Sequence, residues 1–273
     1  MPNTVASPFA RGIHPRTGRL PFKLLSVLLP TAILLTACGE GVSVGRNEPP
    51  VTRASASSVL AIGDSFLAWH RASRQSIPDV LEDSLGSEVT NRSVVGARFN
   101  YALPITGAMG LNISKQYQRG SWDWVVVNGG GNDLWFGCGC IACETTIDKL
   151  ITPNAAAGKI PRLVSKIRED GTQVVFVGYL HSPSVFSIID HCKDENIELE
   201  RRLSRLAEED PGFHFLKSSG VVPDGDRSFH WIDMIHPSTK ASKFIGERVA
   251  EIITGTIKNS KTDLQDTLRP ELP

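Results

Sequence analysis

The chain has 273 residues, 41% of them hydrophobic and 21% charged. That is enough apolar material for one substantial core. Its 29 basic and 29 acidic side chains cancel, which excludes the net basic footprint of a nucleic-acid binder and implies no acidic substrate.

The first residues do not read as part of a fold. Residues 1–23 hold Arg11, Arg16, Arg19 and Lys23 and no acidic side chain. An apolar run follows over 24–35, interrupted by Ser26, Pro30 and Thr31. It is too short to span a bilayer and fits the apolar region of a signal peptide. It ends in Leu35, Thr36, Ala37 and Cys38. Small residues before a cysteine at this place resemble a bacterial lipoprotein lipobox. The resemblance implies removal of residues 1–37 and lipidation of Cys38. The alternative is an ordinary secretory signal cleaved nearby. Either way the domain is exported, and the expected location is the bacterial envelope, with a lipid anchor as the membrane attachment. Without residues 1–37 the chain carries 25 basic and 29 acidic side chains, a net charge of −4. Residues 39–57 are rich in Gly, Pro, Ser and Arg and read as a flexible tether. Fully extended, that tether reaches about 65 Å.

From there strands and helices alternate. Residues 59–62 form a short apolar run and predict a first, buried strand. Residues 66–85 predict a helix that Pro78 must break or restart. A second strand is expected over 88–95 and a weaker helix over 104–119. Residues 122–128 are the clearest strand, a β-branched run closed by Gly129, Gly130 and Gly131. Asn154 is expected to cap a helix running to Asp170, with Ile160, Leu163, Val164 and Ile167 on its inner face. A fourth strand covers 173–179. An amphipathic helix covers 194–210, with Ile197, Leu199, Leu203 and Leu206 inward. A fifth strand covers 213–216. The last helix covers 237–257, with Pro237 in its first turn. From Lys258 the tail is polar. The domain therefore spans 58–257 and is α/β, a five-stranded parallel sheet with helices on both faces. In such sheets a site lies outside the carboxyl ends of the strands.

Four clusters fall at those ends. Gly63, Asp64 and Ser65 follow the first strand, and Gly96 follows the second. Asn132 and Asp133 follow the third. Asp233 and His236 lie after the fifth, just before the last helix. Alone, Gly-Asp-Ser would be a helix cap, Gly96 a turn glycine and Asn132 a cap residue. Together they suit a serine nucleophile, Ser65, with His236 as its base and Asp233 orienting the imidazole. The N–H groups of Ser65 and Gly96 and the amide of Asn132 would hold an oxyanion. Asp64 and Asp133 read as structural groups bonding loop backbone. His70 and His181 read as rim histidines. Trp69, Phe99, Tyr101, Trp135 and Phe136 are aromatics for either the rim or the core.

Gly-Asp-Ser near the mature N-terminus, a lone Gly, Gly-x-Asn-Asp and Asp-x-x-His, in this order, resemble the SGNH (GDSL-type) hydrolase superfamily over residues 57–256. The resemblance implies a flavodoxin-like three-layer α/β/α fold. It also implies cleavage of carboxylic esters or thioesters with no metal or other cofactor. The positions carried over are Ser65, Gly96, Asn132 and His236, with Asp233 completing the triad. Phe66 stands where many members have leucine. The expected substrate is an acylated glycan or lipid of the envelope. The alternative is a non-catalytic lipoprotein that binds such a molecule in the same pocket.

The run Cys138, Cys140 and Cys143 has no place in that pattern. With Cys192 it leaves an even number of cysteines in an oxidising compartment, which favours disulfides. A tetrahedral metal site using Cys192 or His191 is the rival. Pairing Cys143 with Cys192 would join Cys138 to Cys140 across one residue, where disulfide geometry is hard to satisfy. Either Cys138 or Cys140 is therefore expected to reach Cys192, and the other to pair with Cys143.

Overall fold

The computed structural model describes residues 57–183 and 187–255. The expected signal segment 1–37, the lipidation site Cys38, nearly all of the tether and the tail 258–273 lie outside the described residues. No described helix is long and apolar enough to cross a membrane.

In chain order the elements are β1 (Val59–Ile62), α1 (Ser65–Ala68), α2 (Ile77–Leu85), β2 (Val89–Asn91), α3 (Pro104–Thr106), α4 (Ile113–Gln116), β3 (Trp124–Val127), α5 (Gly131–Cys138), α6 (Glu144–Leu150), α7 (Lys159–Arg168), β4 (Gln173–Val177), α8 (Lys193–Glu209), β5 (Phe213–Leu216) and α9 (Thr239–Thr254). The strands form one parallel sheet in the order β2-β1-β3-β4-β5. This is the flavodoxin-like order, whose direction of winding reverses between β1 and β3.

Alternation along the strands divides the core in two. Leu60, Ile62, Val125, Val127, Val174 and Phe176 face the layer that holds α6, α7 and α8. Val59, Ala61, Val126, Val175 and Val177 face α2 and α9. Both faces of the sheet are covered, so its strands read as continuous apolar runs.

Several boundaries depart from expectation for local reasons. Pro78 sits in the first turn of α2, where its missing N–H costs nothing. Ser76 caps that helix in a reciprocal box with Asp79, so the expected 66–85 helix is two helices joined by a turn. β2 stops at Asn91, whose side chain bonds Ser93 and turns the chain. Residues 104–119 form two short helices joined by a kink at Gly110, which has a φ of 102°. Asn154 does not cap α7. Its Oδ1 accepts from Thr152 and Ala156 in a preceding turn, and the cap position is Gly158. Ile197 is exposed, while Leu199, Leu203 and Leu206 are buried as expected. Ser238, not Pro237, begins the last helix by accepting from the Ala241 N–H, and Gly255 closes it. The helices α5 and α6 carry too little periodicity to be read from sequence.

Candidate active site

β1 ends at Gly63, where a Cβ would lie 2.7 Å from the Asn128 carbonyl oxygen. Only glycine lets the ends of β1 and β3 approach this closely. Gln116 brackets the same residue. Its Oε1 accepts from the Gly63 N–H at 2.7 Å, and its Nε2 donates to the carbonyls of Gly63 and Gly110 at 2.8 and 2.7 Å. Asp64 then caps α1, accepting from the Phe66 N–H at 2.9 Å. Ser65 is the first residue of that helix, held on a sharp turn between strand and helix.

Asp64 also ties three elements together. Tyr179, past the end of β4, donates its hydroxyl to Asp64 at 2.5 Å and accepts the Gly131 N–H at 3.0 Å. Asn132, in the first turn of α5, donates to Asp64 at 3.4 Å and to the Ala97 carbonyl at 3.1 Å. Burial raises the Asp64 carboxyl above its usual range, against the lowering effect of the Tyr179 and Phe66 bonds. Burial and the facing Asp64 push the Tyr179 hydroxyl well up, so it stays a donor. Tyr179→Phe removes a donor from a buried carboxylate and an acceptor from Gly131. It is expected to cost about 1–3 kcal/mol and to lower turnover by loosening Asn132. An unchanged melting temperature and turnover would show that these bonds carry no net weight.

Asp133 has a different task. It accepts the N–H groups of Phe99 and Asn100 at 3.0 and 2.7 Å, pinning the loop that carries Gly96. Burial pushes its carboxyl up to about 6 despite those bonds. A folded value above the free value of 3.8 means that the ionised form costs stability above about pH 6. The cost is relieved as the pH falls toward the free value. Gly96 has a φ of 78°, a conformation that favours glycine. Its N–H and that of Ser65 have no acceptor among the described residues.

The other half of the site is local. Asp233 Oδ1 accepts the N–H groups of Ile235 and His236, each at 3.0 Å, and Oδ2 meets His236 Nδ1 at 2.6 Å. Burial works to raise the Asp233 carboxyl. The bonds from the His236 ring and from the two N–H groups outweigh it and hold the group below the usual carboxylate value. Because Asp233 is an anion, Nδ1 carries the proton and Nε2 is free to act as a base.

Trp69 stacks flat on His236, with ring centroids 3.6 Å apart and planes 3° from parallel. His70 donates from Nε2 to the Pro237 carbonyl at 3.1 Å and meets Trp231 edge-on. Neither role is legible in sequence. Nor are those of Gln116 and Tyr179, although a tyrosine at a strand end was a signal for the latter.

Ser65, Gly96, Asn132 and His236 line one cavity of about 230 Å³. Among the described residues no hydrogen bond joins Ser65 to His236; such contacts often tighten only with substrate bound. Leu134, Trp135, Phe136, Leu180 and Ile189 make much of the wall apolar, and His181 lies at the same cavity. His181 is lowered by burial and by the nearby Lys193 and Lys217. Of the other aromatics, Phe99 is core and Tyr101 bonds Thr106. Cys138 pairs with Cys143 and Cys140 with Cys192, one of the two arrangements left open above. In this state all four sulfurs are paired and none offers a thiolate to a metal.

No curated protein matches the chain. Solved structures do. A candidate SGNH hydrolase from Slackia heliotrinireducens superposes with a TM-score of 0.51 at 18% identity, over 72% of this chain and 99% of its own. A lipase/acylhydrolase from Enterococcus faecalis gives 0.51 at 14% identity, over 76% of this chain and 100% of its own. At such identities the likeness is one of fold. The model of the GDSL-like lipase/acylhydrolase family matches residues 61–243, a span that runs from β1 through the Asp233–His236 pair into α9. The chain belongs to that family and is an ester hydrolase.

Proposed function

We propose that the protein is an exported serine esterase that cleaves O-acyl esters of the envelope through an acyl-enzyme intermediate. One observation carries the mechanism: the first residue of α1 and the Asp233–His236 pair, from opposite ends of the domain, meet at one cavity. Ser65 Oγ attacks the acyl carbon, and its proton passes to His236 Nε2. Asp233 holds the ring in the required tautomer and stabilises the imidazolium. The oxyanion takes the free N–H groups of Ser65 and Gly96. The long 3.4 Å contact of Asn132 with Asp64 gives way, so that the amide becomes a third donor. One donor is worth about 2.7–4 kcal/mol in such a site. The alcohol leaves with the proton from His236, and water, activated by the same histidine, releases the acyl group.

The cavity lies below the range of about 300–1,000 Å³ usual for drug-sized ligands, so a short acyl group fits within it. On p-nitrophenyl esters in monomeric solution, acetate and butyrate are expected to turn over faster than dodecanoate, by on the order of tenfold in kcat/KM. Labelling of Ser65 by a fluorophosphonate tests the chemistry directly. A protein that binds acylated glycans without reacting would remain unlabelled.

A further inference from the structure

Ten large apolar side chains are exposed among the described residues; Val95 and Phe136 line the cavity, and Ile188 and Ile197 each adjoin a lining residue. A folded domain scatters such residues over its surface; here several border the cavity that holds the site. A concentration of this kind marks an interaction surface.

Each group can be placed against the mouth of the cavity. After β2, Val95 lines the cavity, and the turn bearing Ile105 and Met109 packs through Gly110 against the neighbouring Val94. After β3, Phe136 lines the cavity, and Ile141 follows Cys140, which is bonded to Cys192 in the cavity wall. After β4, Ile188 precedes the lining residue Ile189. After β5, the Trp231 N–H donates to the His236 carbonyl at 2.7 Å, and Ile232 follows. Ile105, Met109, Ile141 and Ile232 are 77%, 75%, 74% and 83% exposed, so most of each side chain is open to a partner surface.

We propose that these residues form a ring that seats the mouth of the active site on a lipid surface carrying the ester. The proposal rests on the esterase reading above. Four separate loops contribute, and they share only their position around the opening. A ring suits a broad fluid surface, whereas a peptide or helix would need a groove. A protein seated there would close the mouth, while a lipid surface covers the ring and delivers substrate in the same act. The chain outside the described residues agrees. It joins the domain at Ser57, just before β1 and at the amino end of the strands, opposite the carboxyl ends where the mouth lies. A domain of this size is about 40 Å across, and the tether's reach of about 65 Å lets the mouth face the surface in which Cys38 would be anchored.

The test uses the full chain with Ile105→Glu, Met109→Glu, Ile141→Glu and Ile232→Glu, singly and combined. None of these residues lines the cavity. Activity on soluble p-nitrophenyl acetate should be unchanged. Hydrolysis of a short-chain fluorogenic diacylglycerol ester held in phosphatidylcholine vesicles should fall at least about tenfold in the combined variant. In a Ser65→Ala background, quenching of tryptophan by vesicles of brominated phosphatidylcholine should fall in the same variant. This arm needs no catalysis, so it stands even if the esterase reading fails. Equal vesicle hydrolysis and equal quenching in parent and variant would overturn the ring. So would sedimentation showing a parent dimer that the substitutions split, since the face would then belong to a second copy. The single variants expose any folding defect as a loss on the soluble ester.

Discussion

Ser65→Ala is expected to fold with an unchanged melting temperature and to lose about 10⁴- to 10⁶-fold in kcat, the scale on which removal of an activated nucleophile acts. The stability half of this follows from the geometry. The Ser65 hydroxyl has no hydrogen-bond partner among the described residues, and the cap of α1 is the Asp64 side chain. Nothing that holds the turn is removed. The activity half follows because Ser65 shares the cavity with His236, the group proposed to take its proton. His236→Ala should cost as much, since a triad acts as a unit, and Asp233→Asn as much or less. Steady-state kinetics beside thermal melts decide the matter. A Ser65→Ala protein that retains substantial turnover would place the nucleophile elsewhere.

The largest effect on stability is expected at Cys140–Cys192. The bridge joins residues separated by 52 positions, and closing such a loop is worth on the order of 4 kcal/mol in the chain-entropy model. For a domain of this size that is roughly 10 °C in melting temperature. Cys138–Cys143 closes a separation of only 5 and should contribute about half as much. Replacing Cys140 and Cys192 by alanine, beside the matching pair at 138 and 143, separates the two contributions. Activity should respond first. Cys192 lines the cavity, and Cys140 lies just past α5, whose first turn bears Asn132. Equal melting temperatures for the two double variants would contradict the loop argument.

Much of this architecture was legible in the residues. β1, β3 and β4 are apolar runs largely buried on both faces, and that is the strongest strand signal a sequence offers. The chemical groups were legible because they fall where those runs stop. Asp233 and His236 are three residues apart, so their pairing is a local matter. Contacts made across the sheet were not legible. Nothing near Gln116 announces that it brackets Gly63 at a distance of 53 positions. Trp69 could be named as an aromatic, but stacking on His236 depends on how the turn after α1 meets the loop before α9. The misplaced cap at Asn154 has a plain cause. Asn bonds its own downstream backbone in turns as readily as it caps a helix, and here the turn takes it. The helices α5 and α6 escaped notice because Gly131–Cys138 and Glu144–Leu150 are short and mixed in polarity.

The distance along the chain between Ser65 and His236 has a consequence for how the enzyme comes into being. The proposed nucleophile is synthesised well before its proposed base, 171 positions later. A chain stalled, cleaved or still emerging before β5 holds Ser65 but lacks His236, the imidazole proposed to take its proton. On the proposed mechanism such fragments are expected to be inactive, and the ability to cleave esters to appear only when the C-terminal segment docks. Activity in a cell fraction would then report molecules that carry both Ser65 and His236, which an antibody against the N-terminal half would not do.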